Sequence, residues 1–254
     1  GPTGSGKTVT LASSLRILNK PEVNIITLED PVEIRIDGVT QIQINNDIGL
    51  TFASGLRSVL RQDPDIVMVG EIRDQETAKL AVQASLTGHL VLATLHTNSA
   101  SGAIPRLIDM GIEPFLLAST VNIVAAQRLT RKICEDCKEE YEASAEQLKM
   151  VENVVNDIPG FDFKELLRQN NNKLVLYRGK GCPKCGDSSY KGRIGIFEAF
   201  AVDEDILKLI SVTATAQDIE DMVVKKGMTT MLQDGYLKVL EGLTTIEEVL
   251  RVVN

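Results

Sequence analysis

Short apolar runs alternate with longer amphipathic stretches through the first half of the chain. Residues 24–28, 65–70 and 90–94 are nearly continuous runs rich in Ile and Val. Such runs are typical of parallel strands that are buried on both faces. Stretches with helical spacing lie around them, at residues 6–19, 51–62, 74–86 and 98–110. Strands that alternate with helices in this way predict an open α/β sheet.

Two further segments complete the pattern of this part. Residues 32–44 alternate apolar and polar side chains around Asp37-Gly38, a strong two-residue turn signal, so we predict a β-hairpin there. Residues 114–133 are apolar for most of their length and predict a long helix that leads into Cys134.

The composition changes after residue 133. Residues 134–192 are charged, contain Gly, Asn and Lys, and are framed by cysteines, whereas residues 203–254 have helical spacing. We therefore expect three parts: an α/β core at 1–133, a tetracysteine subdomain at 134–192 and a helical region at 193–254. The helical region carries its own end signals, with capping boxes at Thr215/Asp218 and Thr244/Glu247 and a helix stop at Gly227.

Charge and hydropathy exclude some functions. The 254 residues carry a formal net charge of -8, which argues against a general nucleic-acid coat, since that function needs a basic face. The longest apolar runs fall short of the roughly 18 residues that a membrane span needs. We therefore expect any contact with a membrane to be made through a partner.

The first eight residues, GPTGSGKT, match the phosphate-binding pattern G-x-x-x-x-G-K-[ST] in full. In such a loop the glycines let backbone N–H groups turn toward phosphate oxygens, and the following helix adds its positive N-terminal end. We predict that Lys7 neutralises the β- and γ-phosphates of ATP and that the Thr8 hydroxyl ligates Mg²⁺. The expected nucleotide-binding residues are Gly1, Pro2, Thr3, Gly4, Ser5, Gly6, Lys7 and Thr8. Because a P-loop connects a strand to a helix, we also expect the natural protein to begin upstream of Gly1.

Acidic side chains and a histidine follow the three apolar runs. Glu29 and Asp30 end the first, Glu71 follows the second, and His96 lies just beyond the third. Because ligands bind at the carboxyl ends of parallel strands, these side chains should meet where Mg²⁺ and an attacking water are held. We predict that Glu71 is the general base or water-orienting residue, while Glu29 or Asp30 polarises the water or binds the metal. A surface carboxylate, a turn cap before Pro31 and a structural histidine are the simpler alternatives.

Histidine and arginine complete the candidate chemistry. His96 could sense the γ-phosphate, whereas His89 precedes its strand, at the wrong end, and is interpreted as structural. Arg57 and Arg61 share a helix face, and Arg73 follows Glu71 closely. Arginines of ring ATPases stabilise transition-state charge, but from the residues alone solvated or salt-bridged arginines are the preferred interpretation of these positions.

Two CxxC pairs contain the only cysteines, Cys134 with Cys137 and Cys182 with Cys185. Two such pairs predict a tetrahedral Cys₄ zinc site, with all four ligand positions filled and hence a structural role. The long segment between the pairs requires a subdomain that is looped out. Two disulfides or free thiols are the alternative.

Four segments together resemble the secretion ATPase superfamily, the motors of type II secretion and type IV pilus assembly. They are GPTGSGKT, ITLEDPVE, LRQDPDIVMVGEIRD and TGHLVLATLHTNSA, which look like the Walker A, aspartate, Walker B and histidine boxes of its C-terminal ATPase domain. The resemblance extends along the chain, including the cysteine pairs and KGRIGIFE at 191–198.

The resemblance implies a RecA-like fold, a hexameric ring in the full-length protein and cytoplasmic ATP hydrolysis coupled to an inner-membrane platform protein. It implies that Glu71 is the catalytic glutamate, Glu29 the acid of the aspartate box and His96 the histidine-box residue. It also implies that four arginines serve the nucleotide or the subunit interface, namely Arg57, Arg61, Arg73 and Arg193. The cysteine pairs resemble those of extension and secretion motors rather than retraction motors.

Two other functions fit parts of the sequence. A RecA-like nucleic-acid translocase would show ATPase activity that DNA stimulates. The acidic composition argues mildly against this function. A nucleotide-gated scaffold would use the cysteine knuckle for docking and would turn over little ATP.

Overall fold

The computed structural model describes residues 1–253. In chain order its first half contains α1 (Lys7–Leu18), β1 (Ile25–Glu29), β2 (Thr40–Gln43), α2 (Phe52–Val59), β3 (Ile66–Val69), α3 (Gln75–Leu86), β4 (Leu90–Ala93), α4 (Ala103–Asp109) and α5 (Pro114–Thr120). The second half contains β5 (Ile123–Ile133), β6 (Lys138–Glu142), α6 (Ala145–Val155), α7 (Phe163–Gln169), β7 (Val175–Gly179), β8 (Tyr190–Ala201), α8 (Glu204–Ser211), α9 (Ala216–Lys225), α10 (Met231–Leu240) and α11 (Ile246–Val253).

A parallel sheet in the order β2-β1-β3-β4 forms the centre of the first half. Every residue of β1 and β3 is buried, as the continuous apolar runs predict. β4 lies at the edge and is only partly buried, because one side of its backbone faces away from the sheet. The predicted α/β class with a parallel sheet is confirmed.

The predicted hairpin at 32–44 is wrong. Asp37 and Gly38 do form a turn, with Gly38 at a φ of 82°, but residues 31–39 form no strand. Instead Thr40–Gln43 pairs in parallel with the buried β1. Ile36 is buried and Ile34 packs against the core beneath the sheet, so burial of these side chains replaces the local antiparallel pairing.

The predicted helix at 114–133 is also wrong beyond its first turns. α5 ends at Thr120, and Ile123–Ile133 is a strand that pairs with β8. β-Branched residues at 121, 123 and 124 favour an extended backbone. The partner strand lies more than fifty residues away in the chain, and a local pattern does not reveal it.

The helical spacing predicted for 203–254 is confirmed, because α8 begins at Glu204 and α9, α10 and α11 follow it. Residues 190–201, ahead of these helices, form β8. The capping box of Thr215 and Asp218 is confirmed, since each backbone N–H donates to the other side chain. Gly227 follows the end of α9 with a φ of 101°, as predicted.

The second predicted capping box is replaced by a single cap contact one residue later. The Thr245 hydroxyl, not that of Thr244, accepts from the backbone N–H at the third helical position, Glu248 (3.4 Å). Thr244 Oγ1 donates instead to the carbonyl of Arg131 in β5 (2.9 Å). A tertiary contact has therefore taken the side chain that the local pattern assigned to the cap.

The backbone divides into two compact units, Gly1–Val124 with Ala201–Met222, and Ala125–Phe200 with the residues from Val223 onward. The first contains the parallel sheet and its helices. The second has an apolar core formed by α6, α7, β7, α10 and α11, around Phe163 and Tyr236. Within residues 1–253 no helix is both long enough and apolar enough to cross a bilayer.

Glu248 connects β5 to α11 inside the second unit. Its residue is 2% exposed, and its carboxylate accepts hydrogen bonds from the backbone N–H of Arg131 and from the guanidinium groups of Arg131 and Arg251. Burial raises the pKa of Glu248, but these donors outweigh it and lower the pKa to about 2. The stabilisation is therefore present above the unfolded pKa of about 4.3 and is lost as the pH falls toward 2.

We predict that Glu248→Ala lowers the free energy of unfolding by roughly 2 kcal/mol at pH 7, because two arginines and a backbone N–H lose their acceptor. The value lies below that of a fully buried pair since both guanidinium groups are about half exposed. Urea denaturation followed by circular dichroism measures it. The gap between the variant and the wild type should shrink as the pH falls through 4 toward 2.

Glu247→Ala is the matched control, because Glu247 is exposed on the same turn. An equal loss in the control, or a gap that does not depend on pH, would contradict the role of Glu248.

Candidate functional site

The phosphate-loop sequence forms a tight turn directly before α1. Gly4 and Gly6 have φ values of 77° and 93°, a left-handed conformation that side chains with a Cβ rarely adopt. Lys7 opens the helix, and its Nζ donates to the carbonyls of Gly1 (2.8 Å) and Pro2 (2.9 Å). The ammonium group is thus held within the loop, where it can interact with an anion.

The loop also contacts the end of β4. The backbone nitrogen of Gly1 lies 3.1 Å from the carbonyl oxygen of Leu95, the residue before His96. The phosphate loop and the predicted histidine box therefore meet at one edge of the sheet, as expected for carboxyl ends of parallel strands.

Backbone and hydroxyl contacts hold the segment that carries Glu71. Gly70 N–H donates to Leu28 O (2.7 Å), and the N–H of Ile72 donates to Thr94 O (2.9 Å). Thr94 Oγ1 in turn donates to the carbonyl of Gly70 (2.6 Å). A Cβ at Gly70 would lie 3.0 Å from Leu28 O, so the close approach of the two strands requires glycine. Glu71 thereby occupies a defined position just beyond β3.

Glu71 is the centre of a charged cluster. Its Oε2 accepts a hydrogen bond from His96 Nε2 (2.9 Å), its Oε1 pairs with Arg73, and Arg73 also lies 3.6 Å from Asp30. Burial raises the pKa of Glu71, but the hydrogen bonds from Arg73 and His96 and the positive charge of Arg73 outweigh this effect and hold the pKa below its ordinary value. The cluster therefore presents an ionised carboxylate at neutral pH.

Glu29 lies at the end of β1 and is 5% exposed. Its Oε1 accepts from Thr27 Oγ1 (2.6 Å) and from Gln41 Nε2 (2.9 Å). Glu29 lines a small cavity that Thr8 of the phosphate loop also lines. Asp30 is exposed and lies beside Arg73. Of the two acids that the sequence left open, Glu29 is the one that lines this cavity with the predicted Mg²⁺ ligand.

His89 lies away from this cluster. Its Nδ1 lies 2.9 Å from the carbonyl oxygen of Ala84 and 3.0 Å from Thr87 Oγ1, at the C-terminal end of α3. These contacts fit the structural interpretation of His89, because they complete a helix end.

The remaining arginines make other contacts. Arg57 pairs with Glu76 of α3, and Arg61 Nη1 donates to the backbone carbonyl of Arg57 (2.8 Å). Arg193 is exposed on β8. Of the four predicted arginines, Arg73 is the one that the described residues place beside Glu71.

The four cysteines come together. All four Sγ atoms lie within 4.8 Å of one another, with separations of 3.9 Å for Cys134–Cys182, 3.9 Å for Cys137–Cys185 and 3.7 Å for Cys182–Cys185. A tetrahedral ion with Zn–S bonds of about 2.3 Å requires S···S edges of about 3.8 Å. All four are free thiols, so the geometry suits a metal and not two disulfides.

Tight backbone turns form both knuckles. Cys137 N–H donates to Cys134 O (3.2 Å), and Cys185 N–H donates to Cys182 O (3.1 Å). Without a metal, burial and the neighbouring thiols raise the pKa of Cys137 to about 12. Burial also opposes ionisation of Cys185, but hydrogen bonds from Cys182 and Ser189 lower its pKa to about 7. Four crowded thiols that cannot all ionise by themselves fit a site completed by a cation.

Sequence reasoning missed the polar residues that hold the acids in place. Three such residues are Thr27 and Gln41, which donate to Glu29, and Thr94, which donates to the Gly70 carbonyl. Thr27 is a hydroxyl inside an otherwise apolar run, which is a signal that could have been used. Gln41 could not have been found, because the hairpin prediction put it on the wrong partner strand.

Comparison with known proteins places the whole chain in one group. The family model described as "Type II/IV secretion system protein" matches residues 1–251. The chain is 52% identical over 252 residues to the "Type II secretion system ATPase E" of Vibrio cholerae, covering 99% of this chain and 47% of that protein. It is 48% identical over 250 residues to the "Type IV pilus assembly ATPase PilB" of Thermus thermophilus, covering 98% and 27%.

A solved structure agrees with the sequence relatives. The chain superposes on the pilus retraction motor PilT with bound ADP with a TM-score of 0.68 and 28% identity, over 99% of this chain and 59% of that one. The chain thus spans about half the length, or less, of these curated relatives. With a phosphate loop, a strand-end acid cluster and a family match over nearly all of its residues, this chain belongs to the type II/IV secretion system protein family.

Proposed function

We propose that this chain is the C-terminal ATPase part of a motor that hydrolyses ATP to power type II protein secretion or type IV pilus assembly. The observation that carries the proposal is the contact of His96 with Glu71 (2.9 Å) beside the phosphate loop. Relatives near 50% identity bear names from both systems, so the proposal retains both. The PilT structure with bound ADP supports adenine nucleotide as the ligand.

The phosphate loop is proposed to bind ATP through residues 1–8. Lys7 would leave the carbonyls of Gly1 and Pro2 for the β- and γ-phosphates, while the positive end of α1 faces the same charge. Thr8 is the proposed Mg²⁺ ligand of the loop, and the ion would neutralise charge that develops on the phosphates. Glu29, which lines the cavity with Thr8, is the proposed second acid of this site.

Glu71 is proposed to orient the attacking water for an in-line displacement. Its lowered pKa makes it a weak base, so it would align and polarise the water rather than remove a proton in advance. Bond formation between the water oxygen and the γ-phosphorus accompanies cleavage of the bond to ADP, and the water proton passes to Glu71 or to a phosphate oxygen. His96, which contacts Glu71, would sense the γ-phosphate by a hydrogen bond and so link the presence of that phosphate to the Glu71 carboxylate.

The proposed assembly is a hexameric ring of the full-length protein. Arg57, Arg61 and Arg193 are exposed and are proposed to serve the nucleotide or a subunit interface, together with Arg73. The ring would act on the cytoplasmic side of an inner-membrane platform protein. The division into parts at residues 133 and 192 likewise remains a proposal.

The four cysteines are proposed to hold one structural Zn²⁺. All four ligand positions would be filled by thiolates, which leaves no site for substrate and excludes a catalytic role. The ion would cross-link two knuckles that lie far apart in the chain, with β6, α6, α7 and β7 between them.

We predict that Glu71→Gln in the full-length protein retains ATP binding but reduces turnover by at least about 100-fold, because the amide cannot accept the water proton. Steady-state phosphate release and the Kd of a fluorescent ATP analogue measure the two quantities. Turnover at the native rate in the assembled protein would overturn the assignment. Glu22→Gln, an exposed acid in the turn before β1, is a matched control that should retain activity.

Lys7→Ala should instead weaken binding itself, with the Kd for the ATP analogue raised by about tenfold or more, because a charge-assisted phosphate contact is lost. Lys20→Ala, just beyond α1, is the control for a general charge effect. Equal binding by the wild type and Lys7→Ala would contradict the phosphate-loop role.

Metal analysis of the purified protein should find about one zinc per chain, and Cys185→Ser should lose it. Removal of the ion by a strong chelator is expected to lower the unfolding temperature by roughly 5 °C or more, and added zinc should restore it. A visible absorbance of iron and sulfur, or thiol titration that finds disulfides, would contradict the zinc assignment.

A further inference from the structure

We infer that Gln41 is a positioning residue for Glu29, holding that carboxylate in the orientation that nucleotide turnover requires. The inference rests on the proposed function of Glu29. The inference goes beyond that function because it names a neutral side chain on which Glu29 depends. Gln41 lies outside the Walker A, aspartate, Walker B and histidine boxes.

Both ends of the Gln41 carboxamide are engaged. Nε2 donates to Glu29 Oε1 (2.9 Å) and to the backbone carbonyl of Ile34 (2.9 Å). Oε1 accepts from the backbone N–H of Ile36 (2.8 Å). The two protons of Nε2 and one lone pair of Oε1 are thus used, which fixes which end of the amide faces the acid.

The register of the sheet places this amide beside the acid. Gln41 is directly opposite Thr27 in the parallel β1–β2 pair, and Thr27 and Glu29 lie on the same face of β1 because side chains alternate. Thr27 Oγ1 donates to the same oxygen of Glu29 as Gln41 does (2.6 Å). A change of register by one residue would point Gln41 to the opposite face of the sheet.

The two donors leave the second carboxylate oxygen for the ligand. Among residues 1–253, the two side-chain donors that contact the Glu29 carboxylate, Thr27 and Gln41, both fall on Oε1. This leaves Oε2 for a ligand, and Glu29 lines the cavity that Thr8 also lines. A carboxylate whose rotamer is fixed by two donors needs no reorientation when Mg²⁺ or water arrives.

Gln41 also holds the segment at 31–39 through Ile34 and Ile36, which is the simpler role for this side chain. The two roles share Nε2, which donates to both Glu29 and Ile34, whereas Oε1 serves only the segment. The measured quantities separate them, because positioning of Glu29 acts on kcat and the hold on residues 31–39 acts on the unfolding midpoint. Gln41→Glu keeps the oxygen that accepts from Ile36 N–H but removes both Nε2 donations. Gln41→Met keeps the length of the side chain and removes every polar contact.

The test measures kcat, the Kd for a fluorescent ATP analogue and the unfolding midpoint in the full-length protein. Gln41→Glu and Gln41→Met should each lower kcat by about 10- to 100-fold, as a small displacement of a reacting group does, while the Kd stays within about twofold. Thr40→Ala, an exposed neighbour on β2, is the control and should match the wild type. Glu29→Gln is measured beside them.

Each outcome separates the inference from the proposed function. If Glu29→Gln loses kcat but both Gln41 variants keep it within about twofold, the inference fails and the proposed role of Glu29 stands. If Glu29→Gln keeps kcat, both fail. If the Gln41 variants lower the unfolding midpoint and raise the Kd together, with kcat unchanged, Gln41 only holds the 31–39 segment and the inference is wrong. Gln41→Met decides by the same criterion if Gln41→Glu does not fold.

Discussion

The parallel hydrogen-bond ladder through β1, β3 and β4 is the constraint on which the candidate site depends. Leu28 is opposite Val69, and Val69 is opposite Ala93, so three separate segments of the chain end level with one another. Glu29, Glu71 and His96 follow those ends. A ladder in another register would carry each of them to a different height or a different face, and the cluster would not form.

Close contacts beyond the strand ends make this arrangement tighter than the ladder alone. Gly70 approaches Leu28 O so closely that a Cβ there would lie 3.0 Å from that oxygen. Thr94 Oγ1 then holds the Gly70 carbonyl. The acids themselves are held by different kinds of neighbour. Glu71, whose pKa is lowered, contacts the guanidinium of Arg73 and the imidazole of His96, and Glu29 accepts from the neutral donors Thr27 and Gln41. The two carboxylates can therefore perform different tasks at one sheet edge.

The second unit uses long-range cross-links instead of a parallel sheet. Its β-strands are antiparallel in the β6–β7 pair, its four thiols converge from two turns, and a buried carboxylate at 248 joins β5 to α11. Each of these links connects residues separated by more than thirty positions in the chain. They add to the apolar core around Phe163 and Tyr236 in a region where charged and polar residues are frequent.

Local sequence determined those parts of the protein whose physics is local. The phosphate loop needs glycines at positive φ and a helix after Lys7, and buried parallel strands need continuous apolar runs, so both could be predicted from the residues alone. The pairing of two CxxC motifs was equally visible, since each motif is a knuckle in itself. Tertiary structure decided the rest. Thr40–Gln43 pairs with β1 and not with the residues just before the Asp37-Gly38 turn, and Ile123–Ile133 is a strand that pairs with β8. Thr244 donates to the Arg131 carbonyl and does not serve as the helix cap. In each case a contact with another segment of the chain outweighs a weak local preference. The local sequence pattern does not show which segment that partner will be.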